Sequence, residues 1–202
     1  MPPPRRDTQK QRQPSVPSSS AWPSSCAFIE TLAWDPRVPK EVLEHYAPSA
    51  RDSRGALKHP RAKRVKAKIV DEDGHPAKGE YGLFAATKIS AKERLIDYHG
   101  LVTLSADASQ TSDYTLAFGD RNELAIDAEL VGNEARMCND FRGTSRRANA
   151  KFDTYRDERG DTKLAIFAVE TIHKGSEVLI SYGKGFWKNR VGTDLAAFTG
   201  WD

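Results

Sequence analysis

The chain has 202 residues, a formal net charge of +3 and two cysteines. This length suits one domain with a tail, and a core of that size can be stable without crosslinks. Cys26 and Cys138 lie far apart in the sequence, which excludes a disulfide scaffold and a cysteine-rich zinc cluster and fits a reducing intracellular compartment. No apolar run approaches the roughly 18 residues of a membrane span, and residues 1–6 do not begin a secretory signal.

Charge is distributed unevenly along the sequence. Residues 1–69 hold 14 Lys and Arg against 6 Asp and Glu, a balance of +8, whereas residues 70–202 hold 17 against 22, a balance of −5. A net-acidic body is compatible with a cationic peptide partner, because complementary charge speeds encounter, but solubility explains it equally well. The basic residues 51–68 favour three interpretations, namely a solvated connector, a nuclear address or a weak nucleic-acid contact.

The first part of the chain is predicted to be a tail followed by a docking segment. Residues 1–25 are rich in Pro, Ser, Gln and Arg, cannot repay ordering entropy by burial, and are predicted to be disordered. Residues 26–64 are predicted to dock on the main body through scattered apolar side chains and then to form the basic connector. A short helix is predicted over Lys40–Tyr46, because Pro39 stands at its start.

From residue 65 onward the pattern predicts many short strands separated by turns. Helical character is confined to Ala128–Met137, and no G-x-G-x-x-G opens a long helix, which argues against a Rossmann methyltransferase. The sequence therefore predicts a mainly β fold with few short helices and compact small sheets. The predicted strands are Lys66–Val70, Gly82–Thr87, Arg94–Leu104, Tyr114–Phe118, Leu124–Asp127, Ala150–Tyr155, Leu164–Ala168 and Glu177–Ser181.

Three segments carry the most specific signal. Residues 78–85 read KGEYGLFA, residues 132–140 read GNEARMCND, and residues 177–183 read EVLISYG. In this order they resemble the G-x-G-[LV]-[FR]-A, G-N-x-A-R-F-[IV]-N-H and G-E-E-[IL]-x-x-x-Y-G segments of the SET domain of protein lysine methyltransferases. The resemblance runs from about Lys66 to Trp187. It implies a SET fold of several small twisted sheets with a C-terminal pseudoknot, with the domain at residues 65–183 and an aromatic tail at 184–202 that closes the site.

The resemblance also implies S-adenosylmethionine as cofactor. No metal is expected, because two cysteines cannot form the zinc clusters of many relatives and the five histidines show no metal-ligand spacing. Asp140 replaces the family's usual histidine and Phe141 its usual serine, which puts the strength of cofactor binding in question. Without Tyr182 downstream, Asn139-Asp140 would be interpreted as a polar turn. The residues implied to hold the cofactor are Glu80, Tyr81, Gly82, Leu83, Arg136, Asn139, Asp140, Tyr182, Phe186 and Trp187.

Two tyrosines are implied as catalytic. Tyr182 matches the family tyrosine that sits over the reacting amine, and Tyr114 resembles the second tyrosine of the substrate channel. A lysine amine has a pKa near 10.4, so a narrow apolar channel is needed to favour its reactive neutral form. Ile180 stands where the family alternates Phe and Tyr, and without a hydroxyl it predicts that two or three methyl groups are sterically permitted. Core packing is the alternative for either tyrosine.

The first functional hypothesis is a protein-lysine N-methyltransferase that uses S-adenosylmethionine and acts on a histone or another basic protein tail in chromatin. A nuclear location is expected, with the cytoplasm as the alternative. The second hypothesis is a catalytically weak SET-like module that binds basic peptides. The third is a nucleic-acid binder that uses residues 51–68. The sequence specifies no oligomeric state.

Overall fold

The computed structural model describes residues 22–51, 64–145, 147–183 and 186. Across these residues short strands dominate, with one α-helix, α1 (Lys40–Tyr46), and 3-10 turns at Pro48–Arg51, Ser105–Asp107 and Glu134–Met137. The strands are β1 (Ala27–Phe28), β2 (Ala33–Trp34), β3 (Val65–Ile69), β4 (Tyr81–Ala85), β5 (Arg94–Asp97), β6 (Leu101–Leu104), β7 (Thr115–Phe118), β8 (Leu124–Asp127), β9 (Val131–Gly132), β10 (Asn139–Asp140), β11 (Ala150–Arg156), β12 (Thr162–Ala168) and β13 (Leu179–Ile180).

The described strands form five small sheets, with strand orders β2-β6-β8-β7, β11-β12-β5, β3-β4, β1-β9 and β10-β13. The first three contain antiparallel hairpins, whereas β1-β9 and β10-β13 are parallel pairs of residues distant in sequence. The prediction of a mainly β fold with few short helices and several small sheets is confirmed.

One core lies between these sheets. Six of its large apolar side chains come from four strands and the loop after β4, and each of them is 0% exposed: Leu83, Ile89, Val102, Leu124, Ile126 and Ile166. Burial of such side chains supplies the main driving force for folding. No helix among the described residues is long and apolar enough to cross a membrane.

Segment 177–182 crosses between two other parts of the chain. The Val178 N–H donates to the Leu83 carbonyl at 2.7 Å on one side, and β13 pairs with β10 on the other. This places the EVLISYG segment against both other motif segments, as the predicted C-terminal pseudoknot requires.

Two secondary-structure predictions, one of a strand and one of a helix, need correction. Arg94–Leu104 was predicted as one strand, but β5 and β6 belong to different sheets and are separated by a bend at residues 98–100. Gly100 permits the bend to pack closely, because a Cβ there would lie 2.4 Å from the Asp127 carbonyl oxygen. Ala128–Met137 is not a helix: only Glu134–Met137 forms a 3-10 turn, since Val131 and Gly132 are extended and pair with β1.

The predicted tail boundary at residue 25 also moves. Residues 22–25 contact the body: the Trp22 indole N–H donates to the Cys26 carbonyl at 2.6 Å, and its ring packs edge-on against Phe28 at 5.1 Å. The strand β1 that follows is anchored by the Ala27 N–H, which donates to the Leu130 carbonyl at 2.8 Å. Residues 22–29 therefore brace the chain just before the GNEARMCND segment.

The predicted helix Lys40–Tyr46 is confirmed, and Tyr46 docks it. Tyr46 is 2% exposed and packs on Phe118 of β7 with ring centroids 5.6 Å apart. Its hydroxyl donates to the Glu123 carboxylate at 2.5 Å and accepts from the Asp120 N–H at 2.8 Å.

Replacing Tyr46 by Phe should destabilise the protein by about 1.5–3 kcal/mol, because the hydrogen bond from the Tyr46 hydroxyl to the charged Glu123 carboxylate is lost. Urea unfolding of the wild type and of Tyr46→Phe measures the loss. Glu123→Gln, which keeps an acceptor, serves as control and should cost less. An unchanged unfolding midpoint in Tyr46→Phe would show that the hydroxyl does not anchor α1.

Candidate active site

A cavity of about 900 Å³ lies where the three motif segments meet. Its wall combines aromatic rings, backbone and a few charged side chains, as ligand pockets of this size commonly do. Site residues inferred from the sequence that line this central cavity are Glu80, Tyr81, Tyr114, Arg136, Asn139, Ile180, Tyr182 and Phe186.

Asn139 joins two of the motif segments. Its side-chain amide donates to the Tyr81 carbonyl at 3.1 Å and to the Glu177 carboxylate at 2.9 Å. Both amide hydrogens are therefore directed at the protein, and one of them fixes the backbone carbonyl of the first residue of β4. Asn139 shapes the cavity wall through these contacts.

Asp140 lies away from the cavity wall and forms a buried ion pair. Its side chain is 5% exposed and that of Arg142 is 6% exposed, with Nη1 of the arginine 2.9 Å from Oδ2 of the aspartate. The same oxygen accepts the Tyr182 backbone N–H at 2.7 Å. The residue that replaces the family histidine thus holds the backbone of Tyr182, and removing one partner of such a pair typically costs about 3–5 kcal/mol.

Tyr182 lines the cavity, and its hydroxyl proton is donated to the protein. The residue is 37% exposed, but its hydroxyl donates to the Cys138 carbonyl at 2.8 Å and its ring packs against Phe186 at 4.7 Å. Burial of the hydroxyl, followed by the nearby Cys138 and Asp140, raises the pKa of Tyr182 above its ordinary value. The phenol therefore remains neutral at alkaline pH.

Tyr98 and Tyr114 form a second group on the wall. The Tyr98 hydroxyl donates to the Tyr114 carbonyl at 2.7 Å, and the Arg136 guanidinium lies 3.7 Å above the Tyr114 ring. Arg136 is itself held by its Nε, which donates to the Ala128 carbonyl at 2.6 Å. Tyr98 is 3% exposed, and burial raises its pKa well above the ordinary value.

Three residues named from the sequence are placed elsewhere. Leu83 is fully buried in the core. Gly82 lies beneath the Glu177 carboxylate, where a Cβ would be 2.7 Å from Oε1. Asp140 lies in the ion pair described above, and Trp187 is outside the described residues.

Sequence reasoning missed several residues of the wall. Tyr98 was assigned to the predicted strand Arg94–Leu104 and was not named as a site residue. Pro23 and Ser25 line the cavity although they were assigned to the tail, and no local pattern identifies them. Among the described residues, no group of three or more His, Cys, Asp or Glu side chains could hold a metal ion.

The family model described as SET domain matches residues 80–183. This is more than half of the chain, and the chain belongs to the SET domain family. SET domains constitute a protein lysine methyltransferase family and use S-adenosylmethionine. A search of curated protein sequences found no match.

Three solved structures are similar to part of this chain, and the first of them, at a TM-score of 0.50, supports the same fold. The Chaetomium thermophilum polycomb repressive complex 2 matches at 23% identity with a TM-score of 0.50, covering 71% of this chain and 19% of that one. ctPRC2 in an autoinhibited conformation bound to S-adenosylmethionine matches at 22% identity with a TM-score of 0.49, covering 64% of this chain and 17% of that one. KRYPTONITE in complex with mCHH DNA, H3(1-15) peptide and SAH matches at 24% identity with a TM-score of 0.45, covering 59% of this chain and 24% of that one. This chain spans less than a quarter of each, and at these identities the likeness concerns the fold.

The raised pKa values of Tyr98 and Tyr182 predict alkaline destabilisation. Above the ordinary value of 10.0, both phenols ionise in the unfolded chain before they do in the folded one. The unfolded state then binds fewer protons, so the free energy of unfolding falls as pH rises. Denaturant titrations between about pH 9 and about pH 11 measure the fall. The Tyr98→Phe, Tyr182→Phe double variant should make the fall shallower without abolishing it, because burial also raises the pKa values of Tyr46 and of the two cysteines. A slope equal to that of the wild type would contradict the assignment.

Proposed function

We propose that this chain is an S-adenosylmethionine-dependent protein-lysine N-methyltransferase that acts on a histone or another basic protein tail. The observation that carries the proposal is that Asn139, Tyr114 and Tyr182 line a single cavity, although they come from three distant segments. In a methyltransferase of this family, the donor and acceptor must meet in such a space.

The residues present fit the cofactor. The cavity of about 900 Å³ can take a nucleoside with an amino-acid end, and aromatic faces such as Tyr81 and Phe186 suit a flat base. Glu80 and Arg136 supply one charge of each sign on the same wall, which suits a zwitterionic group. When bound, the cofactor supplies a methyl group on a sulfonium, which a neutral amine can accept.

Tyr182 is proposed to orient the amine. Its hydroxyl proton is donated to the Cys138 carbonyl, so the phenol offers oxygen lone pairs to the cavity. These lone pairs can accept an N–H of the substrate amine and direct the nitrogen's own lone pair toward the methyl group. Holding the amine in this geometry makes the transfer effectively unimolecular.

The surroundings of Tyr182 favour a neutral amine. Tyr98, Phe152 and Ile180 line the same cavity and are largely buried, so a lysine that enters it loses solvent. Desolvation disfavours the charged form of an amine, and water at the mouth can carry away its proton. Ile180, which is 2% exposed and has no hydroxyl, leaves room for more than one methyl group in this proposal.

Charge supports a cationic substrate. Glu80 and Asp113 are exposed residues of the cavity wall, and residues 70–202 carry a net −5. An acidic mouth raises the encounter rate with basic peptides, in a manner that salt weakens. We further propose a nuclear location and a chromatin role, which rest on the family and on the basic residues 51–68. Most of that basic segment, residues 52–63, lies outside the described part of the chain.

The alternative is a peptide-binding module with weak catalysis. The buried pairing of Asp140 with Arg142 favours it, because the side chain at the family's histidine position faces away from the cavity. Mass spectrometry of a mixed histone preparation after incubation with S-adenosylmethionine separates the two functions. Mass gains of methyl size support the enzyme, whereas peptide binding without any gain supports the module.

Asn139→Ala should weaken S-adenosylmethionine binding about tenfold or more, because the Tyr81 carbonyl and the Glu177 carboxylate both lose their donor. Calorimetry with the wild type and the variant measures the change. Thr154→Ala, an exposed change on β11, is the control and should bind normally. No binding heat in the wild type would remove the enzyme hypothesis, and equal affinity in Asn139→Ala would move the cofactor elsewhere.

Tyr182→Phe should reduce turnover about a hundredfold while cofactor affinity stays within about twofold, because the variant loses the lone pairs that orient the amine but keeps the aromatic ring. The hydrogen bond to the Cys138 carbonyl is lost as well, and the control variant matches that loss. Single-turnover methylation assays and calorimetry separate the two effects. Tyr155→Phe is the matched control, because it also removes a tyrosine hydroxyl that donates a hydrogen bond, in this case to Asp97. Tyr155 does not line the cavity. Turnover near that of the wild type in Tyr182→Phe would show that the channel has been misplaced.

A further inference from the structure

His75 lies in the loop between β3 and β4, outside the residues that match the family. Its side chain is only 5% exposed. A buried imidazole must direct both ring nitrogens at partners, and here both partners are resolved. The same loop supplies Ala77 and Glu80 to the wall of the central cavity.

The hydrogen bonds determine which nitrogen of His75 carries the proton. The Ala77 backbone N–H donates to Nδ1 at 3.0 Å, so Nδ1 presents a lone pair. Nε2 therefore carries the hydrogen of the neutral ring, and it lies 2.9 Å from Oε2 of Glu177. His75 is thus an acceptor toward its own loop and a donor toward the C-terminal motif.

Glu177 extends this contact to the proposed cofactor site. Its Oε2 accepts from His75, while its Oε1 accepts from the Asn139 amide at 2.9 Å. Asn139 then donates its second hydrogen to the Tyr81 carbonyl at 3.1 Å. Gly82 packs against the same carboxylate, where even a Cβ would be 2.7 Å from Oε1, and the Glu177 side chain is only 11% exposed.

We propose that His75 is a positioning residue for the cofactor site. Through its Nε2–H it holds the Glu177 carboxylate in the orientation that receives Asn139, and Asn139 in turn holds the Tyr81 carbonyl at the cavity wall. The hydrogen bond at Nδ1 shapes the loop but does not transmit to Asn139. This role rests on the proposed function, since it concerns the pocket that would hold S-adenosylmethionine.

Two conservative variants separate the two ends of the ring. In His75→Gln, the side-chain amide nitrogen reaches the place of Nε2 and can still donate to Glu177. In His75→Asn, the side-chain oxygen takes the place of Nδ1 and can still accept from Ala77, but no donor reaches Glu177. His173→Asn, at an exposed histidine, controls for the loss of an imidazole.

Calorimetry with S-adenosylmethionine should give affinities within about twofold of the wild type for His75→Gln and His173→Asn, and an affinity about tenfold weaker for His75→Asn. Thermal unfolding establishes that the variants are folded. Equal affinities in the Gln and Asn variants, whether normal or weakened, would overturn the proposal. Absence of binding in the wild type would instead reject the proposed function.

A measurement without cofactor tests the geometry independently. The ¹⁵N spectrum of the wild-type imidazole should show the neutral Nε2–H tautomer, and the Asn139 side-chain amide resonances should shift in His75→Asn but not in His75→Gln. An Nδ1–H tautomer, or Asn139 resonances that are unmoved in His75→Asn, would overturn the proposal even if the protein binds no S-adenosylmethionine.

Discussion

The parallel pairing of β10 with β13 is the constraint on which the site depends. Only two residues of each strand pair, Asn139 with Leu179 and Asp140 with Ile180, yet they join segments about forty positions apart. Asn149 reinforces the pairing, since its amide donates to the Glu177 carbonyl at 2.8 Å and its oxygen accepts the Leu179 N–H at 2.9 Å. Without this pairing, Tyr182 would not lie beside Cys138 or share a cavity with Asn139.

The polar residues of the motif segments form hydrogen bonds and ion pairs within the protein. Asn139 binds Glu177 and Tyr81, and Asp140 binds Arg142 and the backbone of Tyr182. Polar groups whose hydrogen bonds are satisfied within the protein hold the cavity wall in a single conformation before a ligand binds. This preorganisation lowers the entropic cost of ordering the site on binding. The departure at Asp140 is consistent with this design, because its charge is compensated inside the protein by Arg142.

Local patterns predicted much of the fold. Pro39 predicted the start of α1, and turns between short segments predicted most strands to within one or two residues. The break between β5 and β6 was missed, because it depends on the fit of Gly100 against Asp127, a contact between residues 27 positions apart. The two-residue strands β1 and β10 were missed for the same reason, since their partners are remote.

The residues of the site also fall into those that the sequence could identify and those that it could not. Asn139, Tyr114 and Tyr182 could be named because their segments resemble a family, whereas His75, Pro23 and Ser25 lie outside the matched residues and reach the site only through tertiary packing. Leu83 shows that the resemblance also names too many residues, since a residue inside a motif can be buried in the core and not face the cavity. Sequence identifies segments that meet, but burial and hydrogen bonds determine which side chains face the cavity.

A crystal structure of the protein with S-adenosylhomocysteine tests the central claim most directly. The account predicts that the ligand lies in the central cavity beside Asn139 and Tyr81, with its sulfur directed toward the Tyr182 hydroxyl. A ligand bound outside this cavity, or one whose sulfur faces away from Tyr182, would contradict it.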